Sequence, residues 1–317
     1  MKYVQLGHTT HHVSKMCFGS ITIGPLGADL PLQEAASVVR FALEQGINFI
    51  DTAQYYGNYA ALREGLRGFN GEVVIASKSY APTPAVLLEA VEEARRELDR
   101  DVIEIFHLHE VREPEFLDEN MGLLAALCEL KAKGIIKTVG ISTHSAKIAA
   151  LAAKIPQIEV IHPMLNKAGV GIIDGSLEDM IAACRLAKEN GKGVYGMKAL
   201  GGGSLGGRSQ EMLDWAFSRD YVDSFALGMK SKFELLNNIA WMEGRQSPCA
   251  EQVKHLQRTV VFDENPCYKE ACGACVAKCS QKAIALKEDN TLKWIKARCV
   301  YCGYCIAACP VFNISIS

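Results

Sequence analysis

The chain has 317 residues, which is long enough for one large domain and a smaller one. Apolar residues make up 49% of it and the formal net charge is −2, so neither nucleic acid nor a membrane surface is favoured as a partner. It has no apolar run near the ~18 residues that a membrane-spanning helix needs, and polar residues at 8–12 interrupt the segment where a secretory leader would be apolar. We therefore expect a cytoplasmic protein.

Apolar strand segments and segments of helical periodicity alternate along the first three quarters of the chain. Residues 3–7 and 13–16 bracket a polar turn and predict a hairpin before the main fold. The predicted strand–helix pairs are 16–19 and 32–44, 49–51 and 59–68, 73–78 and 84–98, 103–109 and 119–133, 136–142 and 145–153, 159–165 and 176–190, 193–200 and 209–218, and 224–227 and 232–242. Eight such pairs predict an α/β fold of the (β/α)8 TIM barrel type, whose active site lies at the C-terminal ends of the strands.

Four polar residues lie at those strand ends or just beyond them. Asp51 ends the second strand, Tyr56 follows in the next turn, Lys78 ends the third strand and His109 ends the fourth. A buried aspartate needs a partner, which Lys78 would provide. An ammonium beside a tyrosine favours the phenolate and lowers a pKa that is ordinarily ~10. The four side chains would therefore polarise a carbonyl for hydride transfer, with Tyr56 exchanging the proton.

The segment DTAQYYG at 51–57, together with Lys78 and His109, resembles the catalytic tetrad of the aldo-keto reductase family. This resemblance covers roughly the first three quarters of the chain and implies a small-molecule carbonyl or alcohol substrate. It implies that Tyr56 is the general acid or base, that Lys78 lowers its pKa, that Asp51 pairs with Lys78 and that His109 orients the substrate. The alternative is an Asp–Lys ion pair in a barrel that does no chemistry. Strand parity also predicts that His107 and His162 point into the barrel as core residues.

The resemblance further implies a nicotinamide cofactor, NADP(H), at the same strand ends. No G-x-G-x-x-G motif follows an early strand, so a Rossmann domain is not expected. A glycine-rich segment at 201–207 follows the seventh strand, where backbone N–H groups can approach phosphates, although such a segment can also be merely flexible. The predicted cofactor-binding residues are Ser142, Asn166, Lys198, Gly201, Gly202, Lys230, Ser231 and Asn238.

Individual roles for these residues come from the family resemblance. Ser142 and Asn166 match positions that hold the nicotinamide carboxamide, Lys230 and Ser231 match the ribose phosphate site, and Asn238 matches an adenine contact. The chain departs from the family at Met197, where an aromatic residue often stacks on the nicotinamide. Methionine can still pack on the ring, but the departure also allows weaker binding or a different nucleotide.

Eight of the twelve cysteines form two runs near the C-terminus. The first is Cys267-x4-Cys272-x2-Cys275-x3-Cys279, and the second is Cys299-x2-Cys302-x2-Cys305-x3-Cys309 followed by proline. The second run is the signature of bacterial ferredoxins, and eight cysteines suit two [4Fe-4S] clusters. A zinc ribbon or a set of disulfides is the alternative, although ligation suits a reducing compartment better than disulfides do. The first run departs from the signature in its x4 spacing and in Ser280, where proline is usual.

The resemblance to bacterial ferredoxins assigns the cysteines to two clusters by a crossing pattern, in which the fourth cysteine of each run ligates the other cluster. One set is Cys267, Cys272, Cys275 and Cys309, and the other is Cys299, Cys302, Cys305 and Cys279. We predict a barrel domain at 1–245, a linker at 246–262 with a helix over 246–260, and a small α+β ferredoxin-like domain at 263–317. A hairpin at 283–286 and 292–295 is predicted between the two runs.

Three functions are consistent with these motifs. The first, which we favour, is an NADP(H)-dependent carbonyl reductase whose clusters are structural or connect it to a redox partner protein. The second is an electron-transfer enzyme that passes nicotinamide or substrate electrons through the clusters to an external partner. It would need a switch between two-electron and one-electron chemistry, such as a flavin, for which the sequence shows no motif. The third is a non-catalytic barrel that senses redox state.

Overall fold

Eight parallel strands close into a barrel in the described part of the chain, which confirms the predicted (β/α)8 fold. The computed structural model describes residues 1–118, 122–249, 260–262, 272–279, 281–289, 291–299, 301, 304–309 and 314–316. The first ten strands are β1 (Tyr3–Gln5), β2 (His12–Ser14), β3 (Met16–Gly19), β4 (Phe49–Asp51), β5 (Val74–Ser79), β6 (Ile103–Leu108), β7 (Ile136–Thr143), β8 (Val160–Pro163), β9 (Gly193–Met197) and β10 (Ser224–Gly228). Strands β3 to β10 are hydrogen-bonded in chain order, and β10 closes the ring against β3.

Helices surround this barrel. They are α1 (Leu32–Glu44), α2 (Tyr59–Leu66), α3 (Pro84–Leu98), α4 (Leu123–Ala132), α5 (Ala146–Ala152), α6 (Leu177–Glu189), α7 (Ser209–Phe217) and α8 (Lys232–Met242). Helix α6 illustrates how the sequence sets a helix start, because the Ser176 side chain accepts the backbone N–H of Asp179 while the Asp179 carboxylate accepts that of Ser176. The apolar stripe of each long helix packs against the strands and forms the main core between the two layers.

The predicted hairpin is formed by β1 and β2, and it closes the N-terminal end of the barrel. Leu6 and Val13 are fully buried among the inward-facing residues of the strands. Gly7 makes this approach possible, because it has φ +55° and a Cβ on it would lie 2.2 Å from the backbone nitrogen of Gly193, at the start of β9. The opposite end of the barrel is therefore the end that is available for a binding site.

The described residues of the C-terminal part form two small antiparallel pairs and two short α-helices. The elements are β11 (Val260–Phe262), β12 (Ile284–Leu286), β13 (Leu292–Trp294), β14 (Ile314–Ile316), α9 (Ala274–Lys278) and α10 (Tyr304–Ala308). Strand β11 pairs with β14 and β12 with β13, so the predicted hairpin is confirmed. Within the described residues, no helix is long and apolar enough to cross a membrane.

The helix predicted over 246–260 is wrong at both described ends. Residues 246–249 form a loop and a turn, and Val260 begins a strand. The side chain of Asn237 explains the first departure, because its oxygen accepts the backbone N–H of Cys249 at 3.0 Å and its amide donates to the Cys249 carbonyl at 3.1 Å. Residues 250–259 lie outside the described residues, and the domain boundaries remain predictions.

Candidate active site

Asp51, Tyr56, Lys78 and His109 lie together at the C-terminal end of the barrel. The Lys78 ammonium is 2.8 Å from Asp51 Oδ2 and 3.4 Å from Tyr56 Oη, and the Tyr56 and His109 rings are 5.9 Å apart. This convergence follows from the parallel neighbours β4, β5 and β6, in which residue 51 pairs with residue 76 and residue 78 with residue 107. Three consecutive strand ends thus bring the four predicted side chains to one place.

A short 3-10 turn, Gln54–Tyr56, aims the Tyr56 side chain at Lys78. Gly57 ends the turn in the left-handed region, with φ +62° and ψ +28°. The next residue, Asn58, is buried, and its side-chain amide donates to the Ser20 carbonyl at 2.7 Å. The turn is therefore attached to the segment that follows β3, as well as to β4, which it follows in the chain.

A buried aromatic layer beneath the tetrad was not predicted as part of the site. The Tyr195 hydroxyl donates to Asp51 Oδ2 at 3.0 Å and lies 2.8 Å from His107 Nε2. His162 stacks on Tyr195, with ring centroids 3.9 Å apart, and its Nε2 is 3.6 Å from Asp51 Oδ1. His107 and His162 are therefore inward-facing core residues, as predicted, but they also support the Asp51 carboxylate.

Opposite charges keep Asp51 and Lys78 ionised despite their burial. Burial alone would raise the pKa of Asp51, but the charge of Lys78 and the hydrogen bonds from His162 and Lys78 outweigh it and hold that pKa below its ordinary value. Burial alone would lower the pKa of Lys78, but Asp51 and Tyr56 outweigh it and raise that pKa. The two groups therefore form a buried ion pair, and Lys78 presents a permanent positive charge to Tyr56.

The Tyr56 side chain is a neutral phenol at neutral pH. The sequence predicted that Lys78 would lower the pKa of Tyr56, and Lys78 does act in that direction. Burial of the phenol is the larger effect, however, and it raises the pKa of Tyr56 well above 10. The net direction is therefore opposite to the prediction, because the depth at which the hydroxyl is enclosed depends on tertiary packing that a sequence does not show.

His109 is also neutral. Burial and the nearby Lys78 charge lower its pKa well below 6.5, against the opposing charge of Glu110. The Tyr80 ring stacks on the imidazole at a centroid distance of 4.1 Å and an angle of 20°. Stacking of this kind fixes the plane of the imidazole ring.

Glu110, the residue after His109, is a buried carboxylate that the sequence analysis missed. It accepts hydrogen bonds from Tyr80 at 2.5 Å and from Arg112 at 2.8 Å, and His144 Nδ1 lies 3.3 Å away. Burial would raise its pKa, but His144 and Arg112 outweigh this and lower the pKa of Glu110 to about 2. A left-handed backbone, with φ +51°, turns Glu110 back into the site.

A cavity of about 1180 Å³ extends from the tetrad to the start of α8. Of the predicted cofactor-binding residues, six line it: Ser142, Lys198, Gly202, Lys230, Ser231 and Asn238. The Lys198 ammonium is buried and, among the described residues, has no hydrogen-bond partner. A buried cation of this kind calls for an anion, and the cavity therefore suits a phosphorylated ligand.

Three of the predicted cofactor-binding residues contact other parts of the protein. Both ends of the Asn166 amide bond the backbone of Val170, at 2.8 and 3.0 Å, and Asn166 is not among the described residues that line the cavity. Gly201 is buried and has φ +56°, so it shapes the loop beside the cavity. The Ser142 hydroxyl accepts the backbone N–H of Glu110 at 2.8 Å.

The cysteine-rich part covers one side of the barrel mouth. Tyr304 Oη lies 3.1 Å from His109 Nε2, and the Lys278 ammonium lies 4.2 Å from the centre of the Tyr80 ring. Lys278 and Tyr304 each precede a cysteine, Cys279 and Cys305, that is predicted to belong to one cluster. Two sequence neighbours of predicted cluster ligands therefore lie beside the tetrad.

Six of the eight predicted cluster ligands are described, and none forms a disulfide: Cys272, Cys275, Cys279, Cys299, Cys305 and Cys309. Cys267 and Cys302 lie outside the described residues. Backbone N–H groups donate to Cys279 Sγ at 3.2 Å and to Cys299 Sγ at 3.4 Å, and hydrogen bonds to sulfur are a feature that tunes iron–sulfur clusters. No three described His, Cys, Asp or Glu side chains surround a single-ion site. A cubane, however, takes one thiolate on each of four irons, so its ligands need not converge on one point.

The chain belongs to the aldo/keto reductase family, which residues 15–236 match. Residues 267–313 match the 4Fe-4S dicluster domain. The chain therefore combines an aldo/keto reductase domain with a C-terminal 4Fe-4S dicluster domain, as the sequence predicted.

Two curated relatives resemble part of this chain. "Probable aldo-keto reductase 1" of Glycine max is 28% identical over 227 residues, covering 65% of this chain and 61% of that protein. Pyridoxine 4-dehydrogenase of Escherichia coli is 27% identical over 196 residues, covering 55% of this chain and 68% of that protein. The chain thus spans about two thirds of the length of these relatives. An aldo-keto reductase of Bacillus halodurans in its holo form has the same fold, with a TM-score of 0.65, 24% identity, and coverage of 81% of this chain and 95% of that one.

Proposed function

We propose that the protein is an NADP(H)-dependent oxidoreductase that reduces a small-molecule carbonyl, or oxidises the corresponding alcohol, with Tyr56 as the general acid or base. The observation that carries the proposal is the position of Tyr56 Oη, 3.4 Å from a permanently charged Lys78 and at the wall of the large cavity. When bound, the dinucleotide supplies the hydride. The cavity, its glycine-lined edge and the Lys198 ammonium, which has no hydrogen-bond partner among the described residues, fit such a ligand.

The chain's own residues would act on the substrate oxygen. Tyr56, as a neutral phenol, donates its proton to the oxygen as negative charge develops there, and Lys78 stabilises the phenolate that remains. Asp51 holds Lys78 in place through two short contacts, at 2.9 and 2.8 Å. His109, a neutral imidazole, donates a hydrogen bond to the same oxygen and orients the substrate.

Substitution of Tyr56 tests this proposal. Tyr56→Phe should lower carbonyl reduction by about 10²- to 10⁴-fold, because the general acid is lost while the packing remains. The matched control is Tyr59→Phe, which removes a buried hydroxyl that bonds Ser77 Oγ at 2.6 Å and does not line the cavity. Iron content and visible absorption of both variants should equal those of the wild type. Carbonyl reduction that survives Tyr56→Phe would refute the proposed role.

A second candidate function is favoured by the positions of Lys278 and Tyr304. These residues precede Cys279 and Cys305 in the sequence, and they lie against Tyr80 and His109. In that case substrate or nicotinamide electrons leave through the iron–sulfur domain to an external protein. The test adds NADPH to anaerobic protein and follows the visible iron–sulfur absorption, with an assay for released flavin on the same sample. Bleaching supports this candidate, and intact absorption during aldehyde-dependent NADPH oxidation supports the plain reductase.

A further inference from the structure

A contact between the two domains reaches the catalytic centre itself. Tyr304, the first residue of α10, is only 4% exposed, and its hydroxyl lies 3.1 Å from His109 Nε2. Its ring packs with Leu26 and Tyr56 of the barrel and meets Tyr55 edge-on at 5.4 Å. A hydroxyl from the iron–sulfur domain therefore contacts His109 at Nε2.

Tyr304 is part of a chain of contacts around His109. It meets the Tyr80 ring edge-on at a centroid distance of 6.3 Å, and the Tyr80 hydroxyl donates to Glu110 Oε2 at 2.5 Å. The Glu110 carboxylate is ionised and can only accept, and Arg112 holds it at 2.8 Å. Glu110 therefore anchors Tyr80, and the His109 ring contacts both Tyr80 and Tyr304.

These contacts determine where the proton of His109 lies. A neutral imidazole carries one N–H, and the nitrogen that has a partner is Nε2, which lies 3.1 Å from the Tyr304 oxygen. The other nitrogen, Nδ1, is buried and has no hydrogen-bond partner among the described residues. A buried N–H without an acceptor is the less favourable arrangement, so the proton lies on Nε2. Stacking with Tyr80 keeps the ring from turning. The Nε2–H form is the one that can donate to a substrate oxygen beside Tyr56.

We propose that Tyr304 of the iron–sulfur domain is a positioning residue of the reductase site, which acts with Tyr80 and Glu110 to hold His109 in its Nε2–H form. This inference rests on the proposed function. Tyr56, His109 and Tyr304 all line the cavity together, so a substrate oxygen reaches the Nε2–H from the cavity and shares it with Tyr304. The chain orients the donor before the substrate arrives, which is a form of preorganisation.

Tyr304→Phe tests this role in turnover. The change keeps the ring and removes the hydroxyl, and it should lower kcat about 10-fold while KM for NADPH stays unchanged. Tyr221→Phe is the control, since this hydroxyl is also buried but lies just before β10, at the opposite end of the barrel. An unchanged kcat in Tyr304→Phe would overturn the proposal.

A second measurement does not depend on turnover. In cluster-loaded protein labelled with ¹⁵N-histidine, we expect a slowly exchanging proton on Nε2 of His109, identified by its loss in His109→Asn. The signal should disappear in Tyr304→Phe and remain in Tyr221→Phe. A proton on Nδ1, or a signal that Tyr304→Phe leaves unchanged, would overturn the proposal. If the wild type reduces no carbonyl but the signal behaves as expected, the positioning role stands and the proposed function fails.

Discussion

The Lys78 ammonium lies 2.8 Å from the Asp51 carboxylate, and neither side chain is more than 5% exposed. An ion pair buried this deeply behaves as a unit, because removal of one partner leaves the other charge without compensation. Tyr195 is hydrogen-bonded to Asp51 and would remain, but a neutral hydroxyl replaces only part of an ammonium. The pair should therefore matter to stability as well as to catalysis.

We expect Lys78→Met to destabilise the protein by about 3–5 kcal/mol, and the further change Asp51→Asn to restore part of that loss. The control is Lys131→Met, which breaks a 2.6 Å contact with Glu159 at a lysine that is 43% exposed and should cost less than about 1 kcal/mol. Thermal unfolding of anaerobic, cluster-loaded protein measures the differences. Equal losses of unfolding free energy in Lys78→Met and Lys131→Met would contradict the importance assigned to burial of the ion pair.

The pH dependence of reduction should be flat across the neutral range. Burial raises the pKa of Tyr56 well above 10 and lowers that of His109 well below 6.5. Reduction needs the protonated phenol, so kcat/KM should fall only as the pH rises through the high pKa of Tyr56. Alcohol oxidation needs the phenolate and should rise over the same alkaline range. A profile for reduction between pH 6 and 9 checks this, and a fall centred near pH 8 would contradict it.

Discrimination between nucleotides should depend on Lys230, which lines the cavity at the start of α8. If Lys230 holds the ribose phosphate, Lys230→Ala should weaken NADPH binding about 10-fold or more and leave NADH binding almost unchanged. The neighbouring Lys232→Ala is the control, because Lys232 is exposed and lies over the Phe41 ring outside the cavity. Titration of both nucleotides into each variant gives the comparison, and equal weakening of the two would exclude a phosphate role.

Cys267 is predicted to be a cluster ligand despite its x4 spacing. Its replacement in Cys267→Ala should lower the iron content from about eight to about four per chain, because one of two four-iron clusters loses a ligand. Cys249→Ala is the control, since Cys249 contacts Asn237 through its backbone and stands outside both cysteine runs. Iron analysis of anaerobically purified protein decides the matter, and unchanged iron in Cys267→Ala would remove Cys267 from the ligand set.

The parts of the site that were predictable share a simple geometry. Asp51, Lys78 and His109 stand at or just beyond the ends of consecutive parallel strands, and in a (β/α)8 barrel those ends meet. Tyr195 was missed because its contact with Asp51 spans 144 positions and depends on which inward-facing side chain reaches across the barrel. Burial of Tyr56, which reversed the expected direction of its pKa, likewise depends on packing from several elements.

The contact of Tyr304 with His109 could not be predicted from the sequence for a different reason. This contact spans 195 positions and depends on how a second domain lies on the first. The cysteine spacing identified the iron–sulfur domain but carries no information on that placement. The helix predicted over 246–260 was wrong because Asn237 holds the backbone of Cys249 in a turn, a tertiary contact that local periodicity does not contain.

The position of Tyr304 makes the supply of iron a condition for building the reductase pocket. Helix α10, which carries Tyr304, is only five residues long and contains a predicted cluster cysteine at its second position. A helix this short does not hold its shape by itself, and a domain this small gains much of its folding energy from its metal. A cell short of iron would therefore make a barrel with all four tetrad residues but without the tyrosine that completes their surroundings.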